Sequence, residues 1–509
     1  MILAFVLYFV AMLAIGFYFF LKESGKTGDK EYFLGNRQMG PWVTAMSAQA
    51  SDMSAWLLMG LPGSILAFGL GQAWIGIGLA LGTAANWILV ARRLRKFSKA
   101  AGDSITLPQY LTNRFAQTNH TLSIICAVVF LVSFTIYVAS AFVAGATVFT
   151  QVLPALEGHE QTAMIIFAVI LILYTFLGGF RAVCWTDFIQ GILMLIALMA
   201  LPIVVVLSKK NALDASALSE VVYNLKDNTQ YVFVNSLFTA SWQEIVTGLG
   251  WGLGYFGMPH IIVRFMAIKK PDMVKKSATV GIVWVVLSLV SSIIIAYLGR
   301  MIYAKELLEA GNQKLVFIRF ARDYYPPFIA GLMLSAIIAA GMSTADSQLL
   351  VASSAFTSDI YKPIIRKNAS DKELLWVGRA VVLIVSVIAF FIASSKGSGA
   401  QAIMNMVENA WGLFGASFGA VIILSLFWKR FTYSGAVAGI ITGAVVDIFW
   451  MFCFNKGDAS LIFNTGVYEI VPGFICALVA GIVASLLSKS PSAEVLAIYD
   501  KAVSNASED

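Results

Sequence analysis

The chain has 509 residues, 59% of them hydrophobic and only 12% charged. A soluble protein carries roughly twice that charge and could not cover a surface of this size with less. The same figures exclude a disordered chain, a collagen and a coiled coil. The net charge of +7 fits basic loops at one membrane face better than a nucleic-acid partner, and three histidines are a poor inventory for a metal enzyme.

The apolar runs are continuous and do not alternate, which predicts an all-α polytopic membrane protein, not a barrel. Thirteen stretches have spanning length: 2–21, 41–66, 70–92, 120–150, 161–178, 184–207, 240–262, 274–300, 327–355, 374–395, 400–427, 433–455 and 468–488. The first has no basic residues before it and no small-residue cleavage site after it, so a retained span is expected, not a signal peptide. The loop containing Thr106-Leu107-Pro108-Gln109-Tyr110 predicts a short interfacial helix, with proline near its start. Polar segments are short, so a single transmembrane domain is expected over 1–509, without a soluble output domain. Cys126, Cys184, Cys453 and Cys476 lie far apart in apolar runs and predict core packing.

Thirteen spans put the termini on opposite sides. With the N-terminus outside, the inner segments hold 24 Lys and Arg against 10 outside. That bias predicts a plasma-membrane protein with the N-terminus outside and the C-terminus cytoplasmic. The clusters Arg92-Arg93-Leu94-Arg95-Lys96 and Lys269-Lys270 with Lys275-Lys276 read as topology signals and lipid-headgroup contacts.

Two spans depart from uniform helix. Span two carries Ser51-Asp52-Met53-Ser54 at its middle and Gly60-Leu61-Pro62-Gly63 toward its end. Span seven carries Gly248, Gly250, Gly252, Gly254 and Gly257 within ten residues, a density that disfavours ordinary helix. The glycines serve either close helix packing or a discontinuous helix. Spans two and seven are five apart, the separation expected of inverted repeats that each begin with a broken helix.

Acids inside the membrane are costly and usually functional. Asp52 lies in the break of span two, Asp187 near the inner end of span six, and Asp346 in span nine; Glu408 and Asp447 are further candidates. For Asp187 and Asp346 the alternative to a cation site is an ion pair with Arg181. A hard cation takes oxygen ligands, and an unwound helix offers free carbonyls. Ala50 and Met53 could supply these, with the hydroxyls of Ser343 and Thr344 opposite. Ser54, Trp56, Tyr137, Trp251 and Tyr255 lie mid-span, away from the interfacial belt where Trp and Tyr gather. They suit either a pocket for a small solute or core packing.

The string Ser51-Asp52-Met53-Ser54-Ala55-Trp56-Leu57-Leu58-Met59-Gly60-Leu61-Pro62-Gly63 resembles the sodium/solute symporter family. So do Gly250-Trp251-Gly252-Leu253-Gly254-Tyr255-Phe256-Gly257, Trp185-Thr186-Asp187 and Met342-Ser343-Thr344. The likeness runs from about Gly35-Asn36-Arg37 to Trp376-Val377-Gly378-Arg379, with compatible spans beyond. It implies a LeuT-like 5+5 inverted-repeat core: an extra helix and inner loop at 1–40, repeats at 41–207 and 240–428, two additional helices at 433–488, and a cytoplasmic tail at 489–509. It implies sodium-coupled uptake of L-proline by alternating access. Sodium (Na+) would sit on Ala50, Met53, Ala340, Ser343 and Thr344 with Asp52 in support, and proline on Ser54, Trp56, Tyr137, Trp251 and Tyr255. Some relatives place a further sodium near this level, which makes Asp187, Asp346 and Ser347 a candidate second cation site, although the resemblance itself implies single-sodium coupling and so favours the ion pair. Three residues depart from the family pattern: Ala55 in place of Gly, Met258 in place of Gln, and Asp346 in place of an uncharged Ser. Ala55 and Met258, beside the broken helices, leave open another small amino acid or a carboxylate as substrate, and Asp346 leaves open the number of ions.

Other classes are less well supported. A channel calls for repeated filter motifs or a ring of charges, a sensor for an output domain, and an enzyme for a nucleophile–base set such as G-x-S-x-G or HExxH. No repeated filter motif, charge ring, output domain or HExxH is visible in the sequence, and the G-x-S-x-G match Gly415-Ala416-Ser417-Phe418-Gly419 lies inside an apolar span instead of between a strand and a helix; the sequence gives no oligomeric state.

Overall fold

A computed structural model of the chain describes residues 1–23, 29–177, 179–208, 213–396, 400–455 and 460–504. These residues are mostly helical, with one short antiparallel hairpin, Val222–Tyr223 with Gln230–Tyr231. Among them, ten helices are long and apolar enough to cross a membrane. The first is Ile2–Phe19 and the last Ile470–Leu487. The chain is therefore a multi-pass membrane protein. The other three predicted stretches fall on shorter helices: the two broken segments, and Glu160–Leu177. The interfacial helix forms as Leu107–Arg114, with the Thr106 hydroxyl accepting from the Gln109 N–H at 3.1 Å. All four cysteines are free; Cys126, Cys184 and Cys453 are buried and Cys476 is half-buried.

Span two consists of two helices, Pro41–Asp52 and Trp56–Phe68. Pro41 opens the first, where its missing N–H costs nothing. Met53 then leaves helical geometry (φ −82°, ψ 78°). The Ser54 hydroxyl accepts from the Trp56 N–H at 3.2 Å, where the second helix starts.

Span seven starts from a capping box of Ser241 and Glu244, runs as Trp242–Gly250, and tightens over Trp251–Phe256. It breaks at Met258 (φ −75°, ψ 106°) and restarts with Pro259 as the helix Pro259–Ala267. Both readings of its glycines hold. The helix is discontinuous, and a Cβ would collide at Gly248 with Trp74, at Gly252 with the Gly78 carbonyl, at Gly254 with the Trp411 ring and at Gly257 with the Phe414 carbonyl.

The end of Pro259–Ala267 is tied down by backbone bonds. The Met39 N–H donates to the Ala267 carbonyl at 3.3 Å, and the Lys269 N–H to the Met39 carbonyl at 3.0 Å. Arg37, buried, donates to Asp103 Oδ1 at 2.8 Å, the Ser98 hydroxyl at 3.1 Å, the Ser104 carbonyl at 2.7 Å and the Met266 carbonyl. Arg95 donates to the Ile268 carbonyl at 2.7 Å. Arg37, with Arg95 of the basic cluster, thus fastens the end of the second half of span seven.

Candidate ion and substrate site

The break in span two lies against span nine. Ser343 and Thr344 lie in the long helix Pro327–Phe356, and Ala50 is two residues before the end of Pro41–Asp52. The Ser343 hydroxyl donates to the Ala50 carbonyl at 2.7 Å, and also lies 3.2 Å from the Ala340 carbonyl. Thr344 is 1% exposed, and its hydroxyl has no hydrogen-bond partner among the described residues. An unpaired buried hydroxyl costs about 1–3 kcal/mol. Neutral oxygens from two helices, one of them unpaired, fit a desolvated monovalent cation.

Asp52, 4% exposed, accepts a hydrogen bond on Oδ2 from the Tyr255 hydroxyl at 2.6 Å. Its neighbour in space is therefore span seven. The Tyr255 carbonyl accepts from Asn86 Nδ2 at 2.9 Å, which extends the link to the helix after Leu70.

Trp56 and Trp251 stack with ring centres 5.4 Å apart. Trp251 also stacks on Trp411 at 6.3 Å and leans on Tyr468 at 5.3 Å. Tyr255 meets Trp411 edge-on at 5.1 Å. Trp411 Nε1–H donates to the Trp251 carbonyl at 2.8 Å, whereas Trp251 Nε1–H is buried without a partner among the described residues. Tyr137 is buried beside Ser54 and packs edge-on to His260 at 6.4 Å. The five predicted substrate residues thus gather around the two breaks. Sequence reasoning missed Trp411 and Tyr468, which complete the aromatic wall. Trp411 stands out within its span as a tryptophan flanked by Ala410 and Gly412.

The acids of spans six and nine meet a residue not foreseen there. Asp187 pairs with Arg264, not with Arg181: Arg264 Nη2 lies 3.2 Å from Asp187 Oδ2, and both residues are essentially inaccessible. Arg181 instead binds Glu31 at 3.3 Å. The Ser47 hydroxyl donates to Asp187 Oδ2 at 2.7 Å, and Arg264 also donates to the Ser47 and Ser347 hydroxyls and to the His260 carbonyl. Asp346 lies in electrostatic range of Asp187 and Arg264, yet neither carboxylate oxygen has a hydrogen-bond partner among the described residues. Asp187, Asp346 and Ser347 are therefore together, but around a guanidinium. Arg264 fell just beyond the predicted end of span seven, where it counted as a loop charge. The restart at Pro259 was the available signal, since a helix beginning there must run past 262. Glu408 and Asp447 lie elsewhere, near Glu469, with the Tyr468 hydroxyl on the Glu408 carbonyl at 2.6 Å.

Two solved structures share this fold. A sodium-coupled sialic acid symporter, substrate-bound and outward-open, superposes with a TM-score of 0.71 at 20% identity, over 96% of this chain and 98% of its own. A nucleobase-cation-symport-1 family transporter in a closed conformation superposes with a TM-score of 0.55 at 14% identity, over 92% and 98%. The likeness shows that the chain shares the fold of these two structures. The profile of the sodium:solute symporter family matches residues 32–443, and the chain belongs to that family. Two relatives match over nearly the whole length. The high-affinity proline transporter PutP of Bacillus subtilis is 42% identical over 488 residues, 95% of this chain and 97% of that protein. The sodium/proline symporter of Escherichia coli is 42% identical over 497 residues, 97% and 94%.

Proposed function

We propose that this chain carries L-proline into the cell together with sodium by alternating access, with sodium as co-transported substrate. One observation carries the ion assignment: Ser343 bonded to the Ala50 carbonyl beside the unpartnered Thr344 hydroxyl, at the break in span two. Sodium binds Ala50, Met53, Ala340, Ser343 and Thr344, and Asp52 supports the site through its charge and its bond to Tyr255. Proline contacts Ser54, Trp56, Tyr137, Trp251 and Tyr255 around the two breaks, and the stacked Trp56 and Trp251 rings form one wall. The apolar ring of proline suits that indole wall, and its carboxylate suits free N–H groups at a half-helix start. The full-length likeness to proline transporters supports the choice of substrate over another small amino acid or a carboxylate.

The architecture proposed with it is thirteen membrane helices in a LeuT-like arrangement. Repeats 41–207 and 240–428 follow an extra first helix and precede two more, in one domain with the N-terminus outside and the C-terminal tail in the cytoplasm. At ~100 mV an entering charge supplies about 2.3 kcal/mol, and a tenfold sodium gradient about 1.4 kcal/mol. Together they sustain a proline ratio of roughly 500 per sodium. The test is uptake into proteoliposomes of purified protein: proline accumulation that requires a sodium gradient and resists competing amino acids. Accumulation that persists without sodium overturns the coupling, and a better competitor overturns the substrate.

The two unpartnered oxygens of Asp346 favour a second reading, in which Asp346, Asp187 and Ser347 hold another cation. Arg264 supplies a positive charge at the same place, so single-sodium coupling is the leading form.

A further inference from the structure

On the membrane-facing side of Pro41–Asp52, an apolar groove of about 440 Å³ runs between that helix and the helices Phe180–Ser208 and Val274–Glu309. Met46 and Trp284 are buried at its floor, while Ile192 and Val283 on its walls are 40% and 53% exposed. The floor is already satisfied in its own polar contacts, since Trp284 Nε1–H donates to the Gly191 carbonyl at 3.0 Å. The groove therefore offers hydrocarbon contact and nothing else. Trp42 closes one end, and the Lys276 ammonium stands 5.3 Å from the centre of its ring. Lys275 is adjacent in sequence. Both lysines are exposed, and neither is paired with a carboxylate among the described residues.

We propose that this groove binds an acyl chain of one anionic glycerophospholipid, with the phosphate on Lys275 and Lys276. A dry channel open to the hydrocarbon, ending at two unpaired cations, matches a molecule with an apolar tail and a negative head. A second copy of the chain fits less well, because a two-fold contact through this face would set the same lysines against each other. In the proposed orientation the lipid belongs to the inner leaflet; its binding does not depend on what the protein transports. The position has a consequence for the ion site. Met46 is one helical turn before Ala50, whose carbonyl accepts from Ser343. A Cβ at Gly191 would stand 3.0 Å from the Met46 side chain, and the Ser277 hydroxyl holds the Pro41 carbonyl at 2.9 Å. A lipid lying over Met46 presses the first half of span two against its neighbours.

The test is native mass spectrometry of the full chain released from nanodiscs of equal phosphatidylglycerol and phosphatidylcholine. One phosphatidylglycerol per protomer is expected to remain, retained about tenfold over phosphatidylcholine. Replacing both lysines, Lys275→Gln with Lys276→Gln, abolishes that preference. Thr279→Trp and Val283→Trp, two exposed positions on the groove wall, each fill it and expel the lipid. Equal retention of the two lipids by the unaltered protein overturns the proposal. So does phosphatidylglycerol retention that survives both tryptophan variants. A dimer that Thr279→Trp dissociates assigns the groove to a second copy instead.

Discussion

The Ser343 hydroxyl reaches across from span nine to the Ala50 carbonyl, 2.7 Å away at the end of the first half of span two. The bond uses a carbonyl next to a helix break and a hydroxyl on an unbroken helix. In the proposed sodium site those oxygens become ligands, and Thr344 contributes the hydroxyl now lacking a partner. Thr344→Ala is therefore expected to raise the half-saturating sodium concentration for uptake by about tenfold or more, ~1.4 kcal/mol, at unchanged expression. Thr344→Ser keeps the oxygen and should be milder. Unchanged sodium dependence in Thr344→Ala would remove this residue from the site.

Tyr255 and Asp52 join the two breaks directly, at 2.6 Å. Tyr255→Phe leaves a buried carboxylate without that donor, a loss of about 1–3 kcal/mol. The variant is expected to melt earlier and to need more sodium for half-maximal uptake, although the ring is kept. Normal values of both would confine Tyr255 to wall packing.

The breaks were legible because they are written in residue types. Serines around Asp52, and five glycines in ten residues, are poor helix and announce unwinding or close approach. The hydroxyl pair at Ser343 and Thr344 was legible as an oxygen supply. Arg264 was not, because apolar runs define predicted spans, and a charge two residues past the run reads as loop. Only the three-dimensional pairing with Asp187 reveals a buried cation. Trp411 and Tyr468 were missed for a related reason: any mid-span aromatic has core packing as its ordinary role, and only stacking against Trp251 sets these two apart. The fastening of Ala267 to Met39 joins distant backbone, which no local pattern encodes.

Trp251 stands between Trp56, Trp411 and Tyr468, with an unpartnered indole N–H. Trp251→Ala is expected to weaken proline binding about tenfold or more, with sodium binding nearly unaltered; Trp251→Phe retains part of the affinity. Equilibrium binding of labelled proline and of sodium, measured separately on the purified variants, checks this. Equal loss of both, in protein that is monodisperse, would mean that the indole holds the helices and not the solute.

Arg264 and Asp187 are each other's charge partners where water is absent. Removing Arg264 strands the Asp187 carboxylate, at a cost of about 3–5 kcal/mol. Arg264→Met alone is expected to lower the melting temperature strongly, Asp187→Asn less because Asp346 remains in range of the guanidinium, and the double variant to recover part of the Arg264→Met loss. Simple additivity in this cycle, read by thermal unfolding in detergent, would show that the two do not act as a pair.

Asp346 has no such partner. It is fully buried, both oxygens lack hydrogen bonds among the described residues, and the nearby guanidinium already serves Asp187, Ser47 and Ser347. Two carboxylates around one arginine leave one negative charge unmatched, and a buried charge in that state needs a proton or a further cation. If it is a proton, the sodium-to-proline ratio is one, and Asp346→Ser keeps that ratio. If it is sodium, the ratio exceeds one in the unaltered protein and falls in Asp346→Ser. Reversal potentials in proteoliposomes, taken at several sodium gradients and at two pH values, separate the cases. Arg264 favours the first outcome, because it already supplies positive charge where a second sodium would stand. A ratio of one that persists in Asp346→Ser, with the same pH dependence, eliminates a second site on this carboxylate.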